Sequence, residues 1–416
     1  MEIKPIKSFN KTITVAPDKS ITHRAIMFNA LGVGRAVITN ALVGEDCLST
    51  IKCMRLLGAK ITRRGNRVTV IGTGGKFNSS RLYVGNSGTT FRLMCGLLAS
   101  REGKFTLTGD SSIRRRPMAR VINPLKEMGA KIQSKSGLAP VKIEGRELQG
   151  IEYEMPVASA QVKSAILLAG INAKGRTVVK EKEISRNHTE IMLKTMGAKI
   201  EVEGKTITVE KSDLKCVDIV VPGDISSASY PFVLAVAKEG ASVTVKGVGI
   251  NPTRVGILTV MEECGAKITY ANIDERAEPI ADITVEYSEM KPFTLTKEIM
   301  PYLIDEIPVL AVMACFIKGE SVIKGAEELK VKESNRIDTT VTALKAMGAD
   351  IEPTNDGMII KGTGSLEGGA VIDPHGDHRI AMSMSVAGAL SKRGVTILNP
   401  ECSAVSYPDF YKLFEE

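Results

Sequence analysis

One short motif returns throughout the chain. LLGAKI, EMGAKI, TMGAKI, ECGAKI and AMGADI place glycines at Gly58, Gly129, Gly197, Gly265 and Gly348, with gaps of 71, 68, 68 and 83 residues. A fixed period of this kind means copies of one supersecondary unit, and it limits the folds open to the chain more than any other feature. Before each glycine runs an apolar stripe at helical spacing, as in VINPLKEMG and TVTALKAMG. After it comes an alternating, β-branched stretch such as KIEVEGKTITVE. A glycine just past a periodic apolar run marks a helix C-terminus, because glycine enters the left-handed region without steric cost. The alternation predicts a strand and hairpin.

A second element keeps the same period: a small-residue helix, a glycine and a short strand. It occurs six times, with exit glycines Gly34, Gly103, Gly175, Gly240, Gly319 and Gly394. These helices (AILLAG, FVLAVA, PVLAVMA, IAMSMSVAGAL) are apolar on all sides, which predicts buried helices covered by sheets. Six helices but five GAKI turns leave one unit short, and the N-terminal EIKPIK is expected to supply a strand to the sixth. The expected fold is therefore α/β, a two-domain inside-out barrel of six β-α-β-α-β-β repeats, three per domain. A single solenoid fits less well, since solenoid repeats are seldom so long. The break is placed near Val221-Pro222-Gly223-Asp224, giving one domain over 13–222 and a second over 1–12 plus 223–416.

Composition narrows the function. Of 416 residues, 43% are hydrophobic and 25% charged, ordinary for a core-forming chain and unlike a disordered one. No apolar run is long enough for a membrane span, and MEIKPIKSFNKTITV lacks the apolar region of a signal peptide, so a cytoplasmic, membrane-free protein is expected. The seven cysteines contain no C-x-x-C pair and read as reduced, packed thiols. A formal charge of +8 suits nucleic acid or small polyanions; with no Trp and 4% aromatics, base-stacking platforms are scarce, and small anions are favoured.

Each apolar helix opens on polar residues foreign to its composition: Lys19-Ser20, Asn86-Ser87-Gly88-Thr89, Ser159-Ala160-Gln161, Ser226-Ser227, Asp305-Glu306 and Asp377-His378-Arg379. Capping accounts for Ser, Asn and Asp, and Ser226-Ser227 reads as a simple cap. It does not account for Lys19, Arg92, His378 or Arg379, because cations oppose the helix dipole at an N-terminus. An anionic ligand there removes the conflict and uses the unpaired N–H groups. Ser20 and Arg24 lie four apart on one helix face. Gly85 and Gly88 flank a loop able to present N–H groups to a phosphate or carboxylate. Arg114-Arg115-Arg116 fits either a solvated loop or a ligand clamp. Lys332 and Arg336, one turn apart in KVKESNR, form a like-charge pair that a dianion explains, with Glu333 beside them. His375 and His378 lack a third ligand and Arg379 adjoins them, so a metal is not expected. P-loop, dinucleotide and serine-hydrolase signatures are missing from the sequence.

PDKSITHRA, GNSGTTFR, RRRP, SAQVKSA, SRNHTE, IDEIP, VKESNR, DHRIAM and SYPDF, in this order and spacing, resemble the 5-enolpyruvylshikimate-3-phosphate synthase family over essentially the whole chain. The resemblance implies the enolpyruvyl transferase fold and transfer of an enolpyruvyl group from phosphoenolpyruvate to shikimate-3-phosphate, without a cofactor and in a monomer. It implies that Lys19, Ser20, Arg24, Ser159, Ala160, Gln161, Arg186, Asp305 and Lys332 meet shikimate-3-phosphate. Lys19, Asn86, Gly88, Arg116, Gln161, Arg336 and Arg379 are implied for phosphoenolpyruvate, with Lys19 reaching both substrates. Asp305 and Glu333 match the catalytic carboxylates, with Lys19 and His378 as partners in proton transfer. Two positions depart from the pattern of some members: Ala160 replaces a Ser, and Val405 replaces a Lys on the phosphoenolpyruvate. A related reading, UDP-N-acetylglucosamine enolpyruvyltransferase, is disfavoured because it resembles a Lys-Asn pair at Lys19-Ser20 and a Cys at Ser111. A basic repeat protein binding nucleic acid has only the charge in its favour.

Overall fold

A computed structural model describes residues 1–275 and 278–415. The chain divides into two compact units, Pro17–Val221 and Met1–Ala16 with Pro222–Glu416. In the first, three four-stranded sheets share one pattern. Strand Ser80–Tyr83 runs parallel to Gly103–Thr108, which pairs antiparallel with Leu138–Gly145, itself antiparallel to Lys131–Lys135. The same order recurs around Thr177–Lys180 and around Arg35–Thr39. A buried helix leads into the second strand of each sheet: Lys19–Leu31, Gly88–Ala99 or Ala160–Gly170.

The second unit repeats this with helices Ile225–Ala237, Ile307–Cys315 and His378–Leu390. Every residue from Ile225 to Val236 is buried. Removing such side chains from water contributes about 1.5–3 kcal/mol for each large one, and that burial fixes the layer order. Its third sheet has three strands, Glu2–Ile3, Val395–Ile397 and Ala370–Ile372, with the N-terminal strand antiparallel to Val395–Ile397.

The crossover differs in detail from the sequence expectation of a break after residue 12. Strand Asn10–Ile13 pairs parallel with Ser242–Val245, so the chain leaves that sheet only after Ala16. Ile219–Val220 in turn supplies the first strand of the sheet around Arg35–Thr39. Each of these two strands thus completes a sheet whose other strands lie far from it in sequence. The five GAKI-type glycines all take positive φ, from +89° at Gly348 to +109° at Gly58, the conformation that ends a helix and turns the chain into its hairpin. The cysteines are all free, five of them buried. Among the described residues no helix is long and apolar enough to cross a membrane.

Candidate active site

In the 17–221 unit, cations collect at three helix starts whose caps are local. Asp18 accepts from Ile21 N at 2.7 Å, Ser87 from Thr90 N at 3.2 Å and Ser159 from Val162 N at 3.5 Å. Arg24 is 2% exposed. Its Nε donates to Thr189 Oγ1 at 2.7 Å, Nη2 to Ser164 Oγ at 2.9 Å and Nη1 to Ser20 O at 3.0 Å. These neutral oxygens aim the guanidinium. Lys19 meets Asp46 Oδ2 at 3.3 Å.

Gln161 joins two helix starts: its Oε1 accepts from Arg92 Nη1 at 2.5 Å while its Nε2 donates to Thr89 Oγ1 at 3.0 Å. That bridge requires helices Gly88–Ala99 and Ala160–Gly170 to cross closely. Gly96 permits it, since a Cβ there would stand 1.9 Å from the Ala165 carbonyl oxygen. At Gly88 a Cβ would come within 3.0 Å of Arg116 Nη1 and 3.2 Å of Arg92 Nη1, so the bare backbone lets both guanidinium groups converge on this helix start. Arg116 is half-buried, whereas Arg114 and Arg115 face solvent. Asn86 Oδ1 is buried with no hydrogen-bond partner among the described residues. Arg186 is half-buried just ahead of helix His188–Thr195.

His23 occupies the same helix as Lys19 and Arg24. Its Nδ1 lies 2.7 Å from Thr50 Oγ1, which continues at 2.7 Å to Thr90 Oγ1 and at 2.7 Å to Ser87 Oγ. Burial, reinforced by the charges of Lys19 and Arg24, holds its pKa well below the usual value. The neutral ring ties the first helix to the cap of the second.

In the 222–416 unit the anchor is Arg336, 2% exposed and the first residue of helix Arg336–Ala346. Its Nε donates to Asp377 Oδ2 at 2.8 Å, Nη2 to Asp377 Oδ1 at 3.2 Å and to Glu333 Oε2 at 2.7 Å, and Nη1 to Asp305 Oδ1 at 3.3 Å. Burial opposes this charge, but Asp377, Glu333 and Asp305 overrule it and raise the Arg336 pKa. The cluster is graded. The side chain of Asp377 is 0% exposed, while Asp305 and Glu333 keep 17% and 20% of theirs open, so the acids able to reach a substrate form the rim. Lys332 Nζ lies 3.6 Å from Asp305. Arg379 is buried, its Nη1 3.5 Å from Ser226 O and 3.5 Å from the Tyr230 hydroxyl. Desolvation works against its charge too, and Tyr230, Asp305, Glu306 and Asp224 outweigh that, leaving its pKa raised.

Three sequence readings change here. Lys332 and Arg336 do not share a helix, because Lys332 follows the 3-10 turn Glu327–Val331 and the helix begins at Arg336; Asp305 separates their charges instead of a helical turn crowding them. Ser226 is not the cap of its helix: Asp224 is, accepting from Ser226 N at 2.9 Å, and the Ser226 hydroxyl instead donates to buried Glu306. Asp377 was legible only as a cap. It does cap, accepting from Arg379 N at 2.9 Å, and also carries Arg336, a tertiary role the DHR motif does not disclose. Asp46, Ser164 and Thr189 escaped notice because their partners lie far away in sequence.

His378 is buried at the first position of its helix, and His375 is exposed at φ +52°. Among the described residues no three His, Cys, Asp or Glu side chains group as metal ligands. Val405 ends the 3-10 segment Pro400–Val405 and brings no charge to it.

Buried guanidinium groups at helix starts, with paired open carboxylates, define an enzyme that handles small anions through acid-base chemistry. The sequence profile of the EPSP synthase (3-phosphoshikimate 1-carboxyvinyltransferase) family matches residues 3–414, and the chain belongs to that family. A 3-phosphoshikimate 1-carboxyvinyltransferase of Thermoanaerobacter sp. (strain X514) is 50% identical over 422 aligned positions, covering 100% of this chain and 99% of that relative. One from Shouchella clausii (strain KSM-K16) is 49% identical, covering 96% of this chain and 95% of its own. The solved EPSP synthase of Acinetobacter baumannii superposes with a TM-score of 0.88 at 42% identity, covering 99% of this chain and 96% of that one.

Proposed function

We infer that the chain transfers the enolpyruvyl group of phosphoenolpyruvate to the 5-hydroxyl of shikimate-3-phosphate, releasing inorganic phosphate, a step of the shikimate pathway toward aromatic amino acids. The observation that carries the reading is the Arg336 cluster, where one sealed cation holds two open carboxylates, Asp305 and Glu333, on adjacent nitrogens. The reaction needs two such groups. A proton must reach the methylene carbon, making the adjacent carbon electrophilic, and the attacking hydroxyl must lose its proton as the C–O bond forms. Phosphate then leaves with its electron pair, and the methyl group returns a proton to restore the double bond. Asp305 takes the hydroxyl proton, and Glu333 delivers and retrieves the methyl proton, with Lys19 and His378 as exchange partners.

Lys19, Ser20, Arg24, Ser159, Ala160 (through its backbone), Gln161, Arg186, Asp305 and Lys332 are assigned to the acceptor. Lys19, Asn86, Gly88, Arg116, Gln161, Arg336 and Arg379 are assigned to phosphoenolpyruvate. Guanidinium groups fixed in advance stabilise charge on the departing phosphate at no reorganisation cost. A cytoplasmic monomer acting on these two small molecules, with no part for nucleic acid, completes the proposal. The test is phosphate release from phosphoenolpyruvate with shikimate-3-phosphate or UDP-N-acetylglucosamine as acceptor. Release with the first alone is expected; release with the second alone rejects the assignment.

A further inference from the structure

The 17–221 unit buries an ion cluster that the chemistry above does not use. Lys163, in helix Ala160–Gly170, is 1% exposed, and its Nζ lies 2.6 Å from Glu190 Oε1, 2.9 Å from Glu181 Oε2 and 3.1 Å from Ser185 O. An ammonium has three protons, and three acceptors surround it. Glu181 also accepts from Ser185, through N at 3.1 Å and through its hydroxyl. Glu190 Oε2 is buried with no hydrogen-bond partner among the described residues. Buried ion pairs are often no more stabilising than apolar side chains of the same volume, so stability alone does not explain two carboxylates around one buried ammonium.

The three anchored segments explain it better. Helix Ala160–Gly170 begins at Ser159, Ala160 and Gln161; Arg186 lies between Glu181 and Glu190; and helix His188–Thr195 carries Thr189, which accepts from Arg24 and lies 2.6 Å from Ser164, next to Lys163. We propose that Lys163 is a positioning residue for the acceptor pocket. It clamps the 181–190 segment onto the helix that follows Ser159, and so sets where Arg186 and Arg24 stand. The proposal rests on the reading of this half of the site as the shikimate-3-phosphate pocket. Without the ammonium, two carboxylates face each other in the interior and the segment moves off the helix.

The test uses the full chain and measures shikimate-3-phosphate affinity by calorimetry together with kcat and both KM values. Lys163→Met is expected to weaken shikimate-3-phosphate binding and raise its KM by about tenfold or more, as loss of a charged anchor does, with kcat and the phosphoenolpyruvate KM within about threefold of wild type. Lys163→Arg should recover most of the affinity. Unchanged shikimate-3-phosphate affinity in Lys163→Met, at any melting temperature, overturns the clamp, as does an equal rise of both KM values. If Lys163→Met does not fold, Glu181→Gln decides. It weakens the contacts of Glu181 to both Lys163 and Ser185 while Glu190 still pairs the ammonium, and about a threefold or larger loss of acceptor affinity is expected where no loss rejects the idea. A wild-type chain that binds no shikimate-3-phosphate rejects the underlying pocket assignment, which an altered Lys163 variant cannot do.

Discussion

Arg24 and Arg336 are both 2% exposed, yet the two units hold them by opposite means. The hydrogen bonds that hold Arg24 include two hydroxyls and a carbonyl; those of Arg336 include three carboxylates. Hydroxyl and carbonyl oxygens orient a cation through their dipoles. Carboxylates spend its charge within the protein, and in return the cation becomes a frame on which acids are held. On the proposed function, the Arg24 cluster of the 17–221 unit serves binding and the Arg336 cluster of the 222–416 unit serves proton transfer. A fold of repeated units makes this division possible, because corresponding helix starts can be filled with different chemistry.

The largest effect that could break this contrast is on turnover. Asp305→Asn and Glu333→Gln should each lower phosphate release by about 10²- to 10⁴-fold with the fold intact. Thr189→Val, beside Arg24, should instead weaken acceptor binding and leave kcat nearly unchanged. Equal kcat losses on both sides would erase the distinction. Next comes stability: Asp377→Asn leaves Arg336 short of its sealed partner and should cost about 3–5 kcal/mol in denaturant titration. Ser164→Ala, which removes one charge-assisted hydrogen bond of Arg24, should cost about 1.5–3 kcal/mol.

Gly96→Ala tests whether close helix crossing serves the binding half. The added methyl meets the Ala165 carbonyl, so a loss of about 1–3 kcal/mol is expected, with weaker phosphoenolpyruvate binding as Gln161 draws away from Arg92. The smallest effect concerns pH. Above pH 6.5 the His23 ring is neutral in both folded and unfolded chains and contributes no slope. Below it, the unfolded chain takes up a proton that the buried ring refuses, so stability should fall by up to about 1.4 kcal/mol per pH unit. His23→Gln should flatten that limb in melts between pH 6.5 and 5. A slope unchanged by the substitution would remove His23 from the acid response.

Much of the architecture could be read from residue order. The period of about 70, the apolar helices and the GAKI turns each report a local preference, and these preferences agree with one another. The crossover at Ala16 was less legible, because a strand such as Asn10–Ile13 carries no mark of which sheet will receive it. Of the site, the cations at helix starts stood out as violations of dipole chemistry, which is why Arg92 and Arg379 were visible. Their partners were not. Asp224 and Asp377 look alike as caps, yet one also meets Arg254 and the other Arg336.

The sequence by itself determined the repeated unit, the buried helices and the residue types proposed to face an anion, since each follows from spacing, burial or helix electrostatics within a few neighbouring residues. Only the tertiary structure decided that Thr189 serves Arg24, that Lys163 gathers Glu181 and Glu190, and that Asp377 underlies Arg336 while Asp305 and Glu333 stay open. A buried charge selects its partner by distance and desolvation in three dimensions, and neither is written in the order of the residues.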